Sequence, residues 1–177
     1  MIEAERLILR PFTDADTDVF ASFTCDPEVM RFYPSVQTRE QAEMWLTSCN
    51  ERFEKNGFHM MAVERKSDSA LLGLAGCGRF PYEVPGTCDV EAGWLLGKQY
   101  WGKGYATEAA SAAITHTFDN FDVREIVALT YRNNWPSRKV MEKLGFTHNP
   151  LRDFDHPKLP RDSKVLPHVL YSLRNPN

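Results

Sequence analysis

Several features that mark other classes of protein are missing from this sequence. Its four cysteines, Cys25, Cys49, Cys77 and Cys88, form no CxxC pair, so neither a zinc site nor a redox motif is indicated. No apolar run is long enough to span a bilayer, and the acidic start at residues 1–5 lacks the apolar core of a signal peptide. These absences predict a cytoplasmic protein with reduced, buried thiols and no membrane partner.

The charge is nearly balanced, with 21 Lys and Arg residues against 24 Asp and Glu residues and a formal net charge of −3. The sequence has no basic block and no acidic tail, so it does not predict a nucleic-acid partner. A slightly negative chain favours a cationic partner, such as an amine, over an anionic polymer. The 177 residues, without repeats or flexible linkers, suit a single domain over residues 1–177.

Local signals predict alternating strands and helices. Thr13 with Asp16 and Thr38 with Gln41 match the capping box that opens a helix. Pro136 suits the start of a later helix and Gly145 its end. A small-residue stripe predicts a helix over 105–118, and alternating or β-rich runs predict strands near 6–10, 58–64, 71–80, 90–96, 124–131, 146–151 and 168–174.

A glycine-containing segment lies between the predicted strand 90–96 and the predicted helix 105–118. We call residues 97–104, Gly-Lys-Gln-Tyr-Trp-Gly-Lys-Gly, the glycine loop. Because Gly102 and Gly104 lack a Cβ, successive backbone N–H groups can converge on an anion, and the following helix adds free donors and the positive end of its dipole. The arrangement predicts a phosphate cradle without a cation as its main ligand.

Three kinds of site use such a loop. A dinucleotide fingerprint requires a third glycine where Thr107 stands. A P-loop requires Ser or Thr where Gly104 stands, and no Walker-B aspartate follows the next predicted strand. The third kind is the Gln/Arg-x-x-Gly-x-Gly/Ala acetyl-CoA loop of GNAT enzymes, which Gln99, Gly102 and Gly104 match. A simple tight turn could explain one glycine, but not the strand–loop–helix order.

A second motif strengthens this resemblance. Residues 134–146, Asn-Trp-Pro-Ser-Arg-Lys-Val-Met-Glu-Lys-Leu-Gly-Phe, resemble the N-x-x-S-x-x-V-x-E-K-L-G-F signature of GNAT proteins close to the ribosomal-protein N-terminal acetyltransferases (RimJ/RimL-like). Residues 5–11, 26–30 and 153–157 resemble the same subgroup, so the likeness covers nearly the whole chain in order. It implies an α+β GNAT fold of the three-layer α/β type. That fold has a mixed, mostly antiparallel sheet of about seven strands and about four helices, and its strands four and five splay apart to admit acetyl-CoA.

The resemblance also implies a cofactor site, with acetyl-CoA as co-substrate and no metal. Backbone groups of residues 94–96 would bind the pantetheine and the acetyl carbonyl, and the amides of residues 99–104 would hold the pyrophosphate. Asn134 would contact the cofactor, or would only cap the helix that follows it. The implied cofactor residues are Trp94, Leu95, Leu96, Gln99, Tyr100, Trp101, Gly102, Lys103, Gly104, Tyr105, Ala106, Asn134 and Ser137.

Acetyl transfer to an amine requires a base for the ammonium proton and a donor for the departing thiolate. The predicted base is Glu91, on the face of its strand opposite Val90, although a solvated or ion-paired carboxylate would fit the same position. Many GNAT enzymes use a tyrosine as the acid in the second motif, but Met141 stands there. The subgroup suggests Ser137 instead, with Tyr131 as the alternative; Ser137 could also only bond its own helix.

The acceptor side is less defined by the sequence. Phe32, Tyr33, Phe80 and Tyr82 either line an acceptor site or belong to the core. We predict that segment 152–167, with Asp153, Asp155 and His156, is a substrate-side loop and not a metal site, because further ligands are missing. His116 is predicted to pack or face solvent.

The predicted function is transfer of an acetyl group from acetyl-CoA to a primary amine in a ternary complex, by a monomer or homodimer. The amine is a protein N-terminal α-amine or a small molecule. A catalytically silent acyl-CoA sensor or interaction module on the same fold is the alternative.

Overall fold

The computed structural model describes residues 1–80 and 90–176, which form one mixed sheet with four α-helices. The strands are β1 (Ile2–Glu3), β2 (Leu7–Arg10), β3 (Met60–Arg65), β4 (Leu71–Arg79), β5 (Val90–Leu96), β6 (Glu125–Tyr131), β7 (Thr147–His148), β8 (Phe154–Asp155) and β9 (Pro167–Arg174). The helices are α1 (Thr17–Thr24), α2 (Arg39–Asn56), α3 (Tyr105–Asn120) and α4 (Trp135–Lys143). Cys88 lies outside the described residues.

The strand order in the sheet is β1-β2-β3-β4-β5-β6-β9-β7, with β8 paired to β9. Every pairing is antiparallel except that of β5 with β6, which is parallel and consists of the single register pair Glu91 and Val127. The two strands that the sequence predicts to splay, 90–96 and 124–131, are therefore in contact near the start of β5 and separate beyond it.

The described residues form nine strands, not about seven. The two additional strands, β1 and β8, are only two residues long, too short for an alternating pattern to be recognised in the sequence. The predicted strand 146–151 shrinks to β7 because Pro150 begins a short 3-10 turn. The predicted loop 152–167 contains β8.

Capping predicted most helix ends correctly. At the start of α2 the Thr38 N–H donates to Gln41 Oε1 over 2.9 Å, and the Gln41 N–H donates to Thr38 Oγ1 over 3.2 Å. The Thr13 N–H likewise donates to Asp16 Oδ2 over 2.7 Å, but this box opens a 3-10 turn, and α1 begins only at Thr17. Gly57 and Gly145 follow α2 and α4 at φ angles of +80° and +85°, as a helix end at glycine requires, and the predicted end at Gly145 is confirmed.

The two faces of the sheet carry different helices. Ala110 and Ile114 of α3 pack with Val90 and Ala92 of β5 on one face. On the other face α1 and α2 cover Leu95. Because side chains alternate along a strand, Glu91 projects toward the α1 and α2 face. The thiols of Cys49 and Cys77 are buried as predicted, whereas Cys25 is exposed at the end of α1.

Candidate active site

A cavity of about 630 Å³ opens where β5 and β6 diverge. Its wall includes residues 91–96 of β5, residues 129–131 of β6 and part of the glycine loop. The first turn of α3, most of α4, the segment after α1 and the segment that leads into β9 complete the wall. The cavity therefore lies where the ladder between β5 and β6 ends.

The glycine loop turns the chain from β5 into α3. It begins with a 3-10 turn over Lys98–Tyr100 and has left-handed backbone at Gly102, with φ of +72°, and at Gly104, with φ of +82°. A Cβ on Gly102 would meet no atom within 4 Å, so the backbone conformation explains this glycine and crowding does not. Gly104 is the N-cap residue of α3. The first N–H groups of α3 have no partner within the helix, and the residues of its first turn line the cavity.

Arg6, directly before β2, binds the glycine loop and the first turn of α3. Its Nε donates to Glu108 Oε2 over 2.7 Å, and its backbone N–H donates to Glu108 Oε1 over 2.7 Å. Its Nη1 donates to the Lys103 carbonyl over 3.1 Å, and its guanidinium lies 4.5 Å from the centre of the Tyr105 ring. Sequence reasoning missed this role, because Arg6 entered it only as part of a motif resemblance.

The model of the acetyltransferase (GNAT) domain family matches residues 6–147. The uncharacterized protein YkkB of Bacillus subtilis is 31% identical over 147 residues, covering 82% of this chain and 84% of that protein. The chain belongs to the GNAT acetyltransferase family. A crystal structure of a GNAT acetyltransferase from Bacillus anthracis matches with a TM-score of 0.80 at 26% identity, over 99% of both chains. The ribosomal-protein-S5-alanine acetyltransferase of Vibrio fischeri has the same fold, with a TM-score of 0.75 at 22% identity, over 99% of this chain and 96% of that one.

This GNAT protein is accordingly an acetyl-CoA-dependent N-acetyltransferase, and the predicted fold class is confirmed. Of the residues predicted to bind the cofactor, Gln99 and Lys103 do not reach the cavity wall. Both are exposed, and Lys103 Nζ donates to the Gln99 carbonyl over 2.9 Å. The others line the wall: Trp94, Leu95, Leu96, Tyr100, Trp101, Gly102, Gly104, Tyr105, Ala106, Asn134 and Ser137.

The carboxyl group of Glu91 lies in the wall at the start of β5. The side chain is half-buried and opens into the cavity, and among the described residues no side chain donates a hydrogen bond to it. Burial raises the pKa of Glu91 to about 8. Burial, with the nearby Glu91 charge, also raises the pKa of Tyr33 to about 12, so the phenol keeps its proton. Glu91 is therefore largely protonated at neutral pH in the GNAT enzyme without substrate.

The start of α4 brings Asn134 and Ser137 to the cavity. Asn134 Oδ1 accepts from the Ser137 N–H over 3.3 Å, and Asn134 Nδ2 donates to Thr130 Oγ1 over 2.8 Å. Asn134 is thus a helix cap, one of the two roles left open by the sequence, although it also reaches the wall. Ser137 lines the wall from the first turn of α4, while Tyr131 on β6 accepts from Asn133 Nδ2 over 3.1 Å.

The acceptor side, defined here as Phe32, Tyr33, Tyr131, His156 and His168, forms the remainder of the wall near Glu91. Phe32, Tyr33 and His156 were candidates from the sequence, and His168 was missed because nothing local marks it. Tyr82 lies outside the described residues.

Other sequence candidates lie elsewhere. Phe80 packs with Val127 and Leu170, so it is a core residue and not part of the described wall. Asp153 accepts from His148 Nε2 over 2.9 Å. Across residues 1–80 and 90–176 there is no cluster of three or more His, Cys, Asp or Glu side chains that could hold a metal. No helix in this part of the chain is long and apolar enough to cross a membrane.

The raised pKa of Glu91 predicts a pH-dependent stability difference. An unfolded chain releases the Glu91 proton near the ordinary value of 4.5, whereas the folded chain holds it up to about pH 8. Between these two pH values the unfolded state binds fewer protons at Glu91 than the folded state does. The free energy of unfolding therefore falls as pH rises from 4.5 to about 8. We expect Glu91→Gln to gain stability relative to the parent between pH 5 and pH 8, with no further change above. Urea unfolding of both proteins across this range measures it, and a constant difference would contradict it.

Proposed function

We propose that this enzyme transfers the acetyl group of acetyl-CoA directly to a primary amine in a ternary complex. The observation that supports the proposal best is the cavity between the diverging strands, with the glycine loop at one end of β5 and Glu91 at the other. A cofactor laid along β5 would place its phosphates at the loop and its thioester toward Glu91.

The wall suits an elongated anionic cofactor. Beyond Glu91, the backbone groups of β5 that face β6 have no ladder partner, so residues 94–96 can bond an extended pantetheine chain. The turn at Gly102 and Gly104 and the start of α3 offer N–H groups to a pyrophosphate. Lys139 and Lys143 of α4 add positive charge to the same cavity.

Glu91 and Ser137 are the proposed catalytic residues. The amine must reach the thioester as a neutral nucleophile, and an ionised Glu91 can take its proton directly or through water. As the carbon–nitrogen bond forms and the carbon–sulfur bond breaks, the thiolate needs a donor. The Ser137 hydroxyl, in the first turn of α4, can donate to it while the helix N-terminus stabilises the same charge.

The acceptor is a protein N-terminal α-amine or a small-molecule amine. The motif resemblance to the RimJ/RimL-like subgroup favours a peptide N-terminus, whereas the shared fold does not discriminate between the two acceptor classes, because a ribosomal-protein acetyltransferase and a spermidine acetyltransferase both have it. The proposal keeps the other sequence predictions: one domain over residues 1–177, a cytoplasmic monomer or homodimer, and no metal, nucleic acid or membrane partner.

An acceptor panel tests the reaction. The panel contains a short peptide with a free N-terminus, 2-phenylethylamine and spermidine, and CoA release reports turnover. We expect release with at least one amine. At pH 8.5, where Glu91 is ionised in most molecules, Glu91→Gln should lose about 10²-fold in rate with little change in acetyl-CoA affinity. Acetyl-CoA binding without release from any amine would instead support the silent sensor.

The role of the glycine loop is tested by Gly104→Val. Because Gly104 has φ of +82° and a Cβ would lie 3.4 Å from Arg6 Nη2, a β-branched residue should displace the loop amides. We expect calorimetry to show acetyl-CoA binding weakened about tenfold or more, about 1.4 kcal/mol. Gly145→Val is the matched control, since φ there is +85° but the residue lies outside the cavity wall. Equal affinities of the two variants would remove the loop from the site.

The proton donor is tested by Ser137→Ala beside Tyr131→Phe. One hydrogen bond to the thiolate in a dry site is worth about 1–3 kcal/mol, which is roughly 5- to 150-fold in rate. We expect Ser137→Ala to lose turnover on that scale, with acetyl-CoA affinity within a few-fold of the parent, and Tyr131→Phe to lose much less. Steady-state kinetics with one shared amine measures both. A crippled Tyr131→Phe beside a nearly normal Ser137→Ala would assign the donor role to the strand tyrosine.

A further inference from the structure

His168 faces the same side of the sheet as Glu91. It is paired in register with Tyr131 across β9 and β6, and Glu91 is paired with Val127 across β5 and β6. Paired residues on neighbouring strands project to the same face, and Val127 and Tyr131 are an even number of residues apart on β6. The face is the one opposite α3, because Val127 packs with Phe154 of β8 and not with α3. His168 also lines the cavity, on the acceptor side.

Contacts of the His168 ring determine which nitrogen carries the proton. Nδ1 lies 3.1 Å from the Leu166 carbonyl oxygen, and a carbonyl can only accept a hydrogen bond. Nδ1 is therefore the protonated nitrogen of the neutral ring, and Nε2 carries a lone pair. His156, with its ring centre 4.8 Å from that of His168, has the opposite tautomer, because its Nδ1 accepts from the Lys158 N–H over 3.2 Å.

At neutral pH the protonation states of Glu91 and His168 differ. The titratable or charged groups on the cavity wall are Arg31, Tyr33, Glu91, Tyr100, Tyr105, Tyr131, Lys139, Lys143, His156 and His168 itself. Burial lowers the pKa of His168, although the bond to Leu166 opposes the shift, and burial with the neighbouring His168 lowers that of His156. Glu91 holds a proton up to about pH 8, as its raised pKa shows. The carboxyl group is thus occupied at neutral pH while the His168 imidazole is not.

We propose that Nε2 of His168 accepts the proton of the acceptor ammonium at neutral pH, and that Glu91 takes over this role at higher pH. The inference rests on the proposed acetyl transfer. The ammonium gives one proton to Nε2, which leaves a neutral amine and an imidazolium. The amine nitrogen attacks the thioester carbon, the carbon–nitrogen bond forms, and the carbon–sulfur bond breaks. The second nitrogen proton goes to the thiolate, directly or by way of the donor that served it, and the imidazolium releases its proton to solvent.

Two substitutions at His168 separate proton transfer from structure. In His168→Gln the side-chain amide reaches the position of Nε2, so it can accept a hydrogen bond but cannot take a proton. In His168→Asn the amide reaches the position of Nδ1 and can still donate to the Leu166 carbonyl. His116→Gln is the matched control, since His116 lies on α3 outside the cavity wall. CoA release is measured with the best amine of the acceptor panel at pH 7.0 and pH 8.5.

The expected result is a crossover with pH. At pH 7.0 both His168 variants should lose about 10²-fold in kcat, and Glu91→Gln should lose less than about fivefold. At pH 8.5 the order should reverse, while the KM for acetyl-CoA and the activity of His116→Gln stay within about twofold at both pH values. A loss at His168 that is equal at the two pH values would mean a structural role and would overturn the proposal, as would full activity of His168→Gln at pH 7.0. An inactive parent enzyme would instead refute the proposed acetyl transfer itself.

A measurement without any acceptor tests the tautomer separately. Histidine ¹⁵N shifts at pH 7.0 should show one ring, absent from the spectrum of His168→Gln, with Nδ1 protonated and Nε2 unprotonated. A protonated Nε2 on that ring would leave no lone pair for the ammonium proton and would overturn the assignment even if the enzyme is active.

Discussion

The break in the ladder between β5 and β6 is the constraint on which the rest of the site depends. A parallel pair that meets only at Glu91 and Val127 leaves backbone donors and acceptors along β5 without partners in the sheet. Such groups are costly to bury unless something else bonds them, so the gap must hold water or a ligand with matching polar groups. The small residues of α3, including Ala109 and Ala110, let that helix lie close to the sheet and carry the chain across the gap. The incomplete pairing of β5 and β6 is therefore both a feature of the fold and the origin of the cofactor site.

An anion cradle formed by backbone N–H groups is sensitive to nearby acidic charge. Glu108 lies in the first turn of α3, where its carboxylate would oppose a bound pyrophosphate. Arg6 neutralises it through contacts of 2.6 and 2.7 Å while also holding the Lys103 carbonyl. Because the Arg6 side chain is 43% exposed, this ion pair adds little to global stability. Its effect is to fix the loop and to preserve the positive potential at the start of the helix.

Features encoded within a few residues could be predicted from the sequence, and those formed across the chain could not. The capping box at Thr38 and the glycine loop are local, because their hydrogen bonds or φ angles involve residues that are close in sequence. The contact of Arg6 with Glu108 spans 102 positions, and His168 meets Tyr131 only through strand pairing. No periodicity or motif in the sequence predicts the contact of Arg6 with Glu108 or the pairing of His168 with Tyr131. The same limit explains the missed strands β1 and β8, which exist only because they are hydrogen-bonded to a neighbouring strand.

Desolvation acts on both proposed bases and on the substrate in one consistent direction. A poorly hydrated cavity disfavours charge, so it raises the pKa of a carboxyl group such as Glu91 and lowers that of an imidazole such as His168. The same environment lowers the pKa of an ammonium group that enters it. For Glu91 the two shifts narrow the pKa difference between the carboxyl group and the ammonium, because one pKa rises while the other falls. For His168 both pKa values fall together, because transfer from an ammonium to an imidazole only moves one positive charge between two buried groups. The apolar and aromatic wall therefore assists proton transfer to the carboxylate and does not oppose transfer to the imidazole.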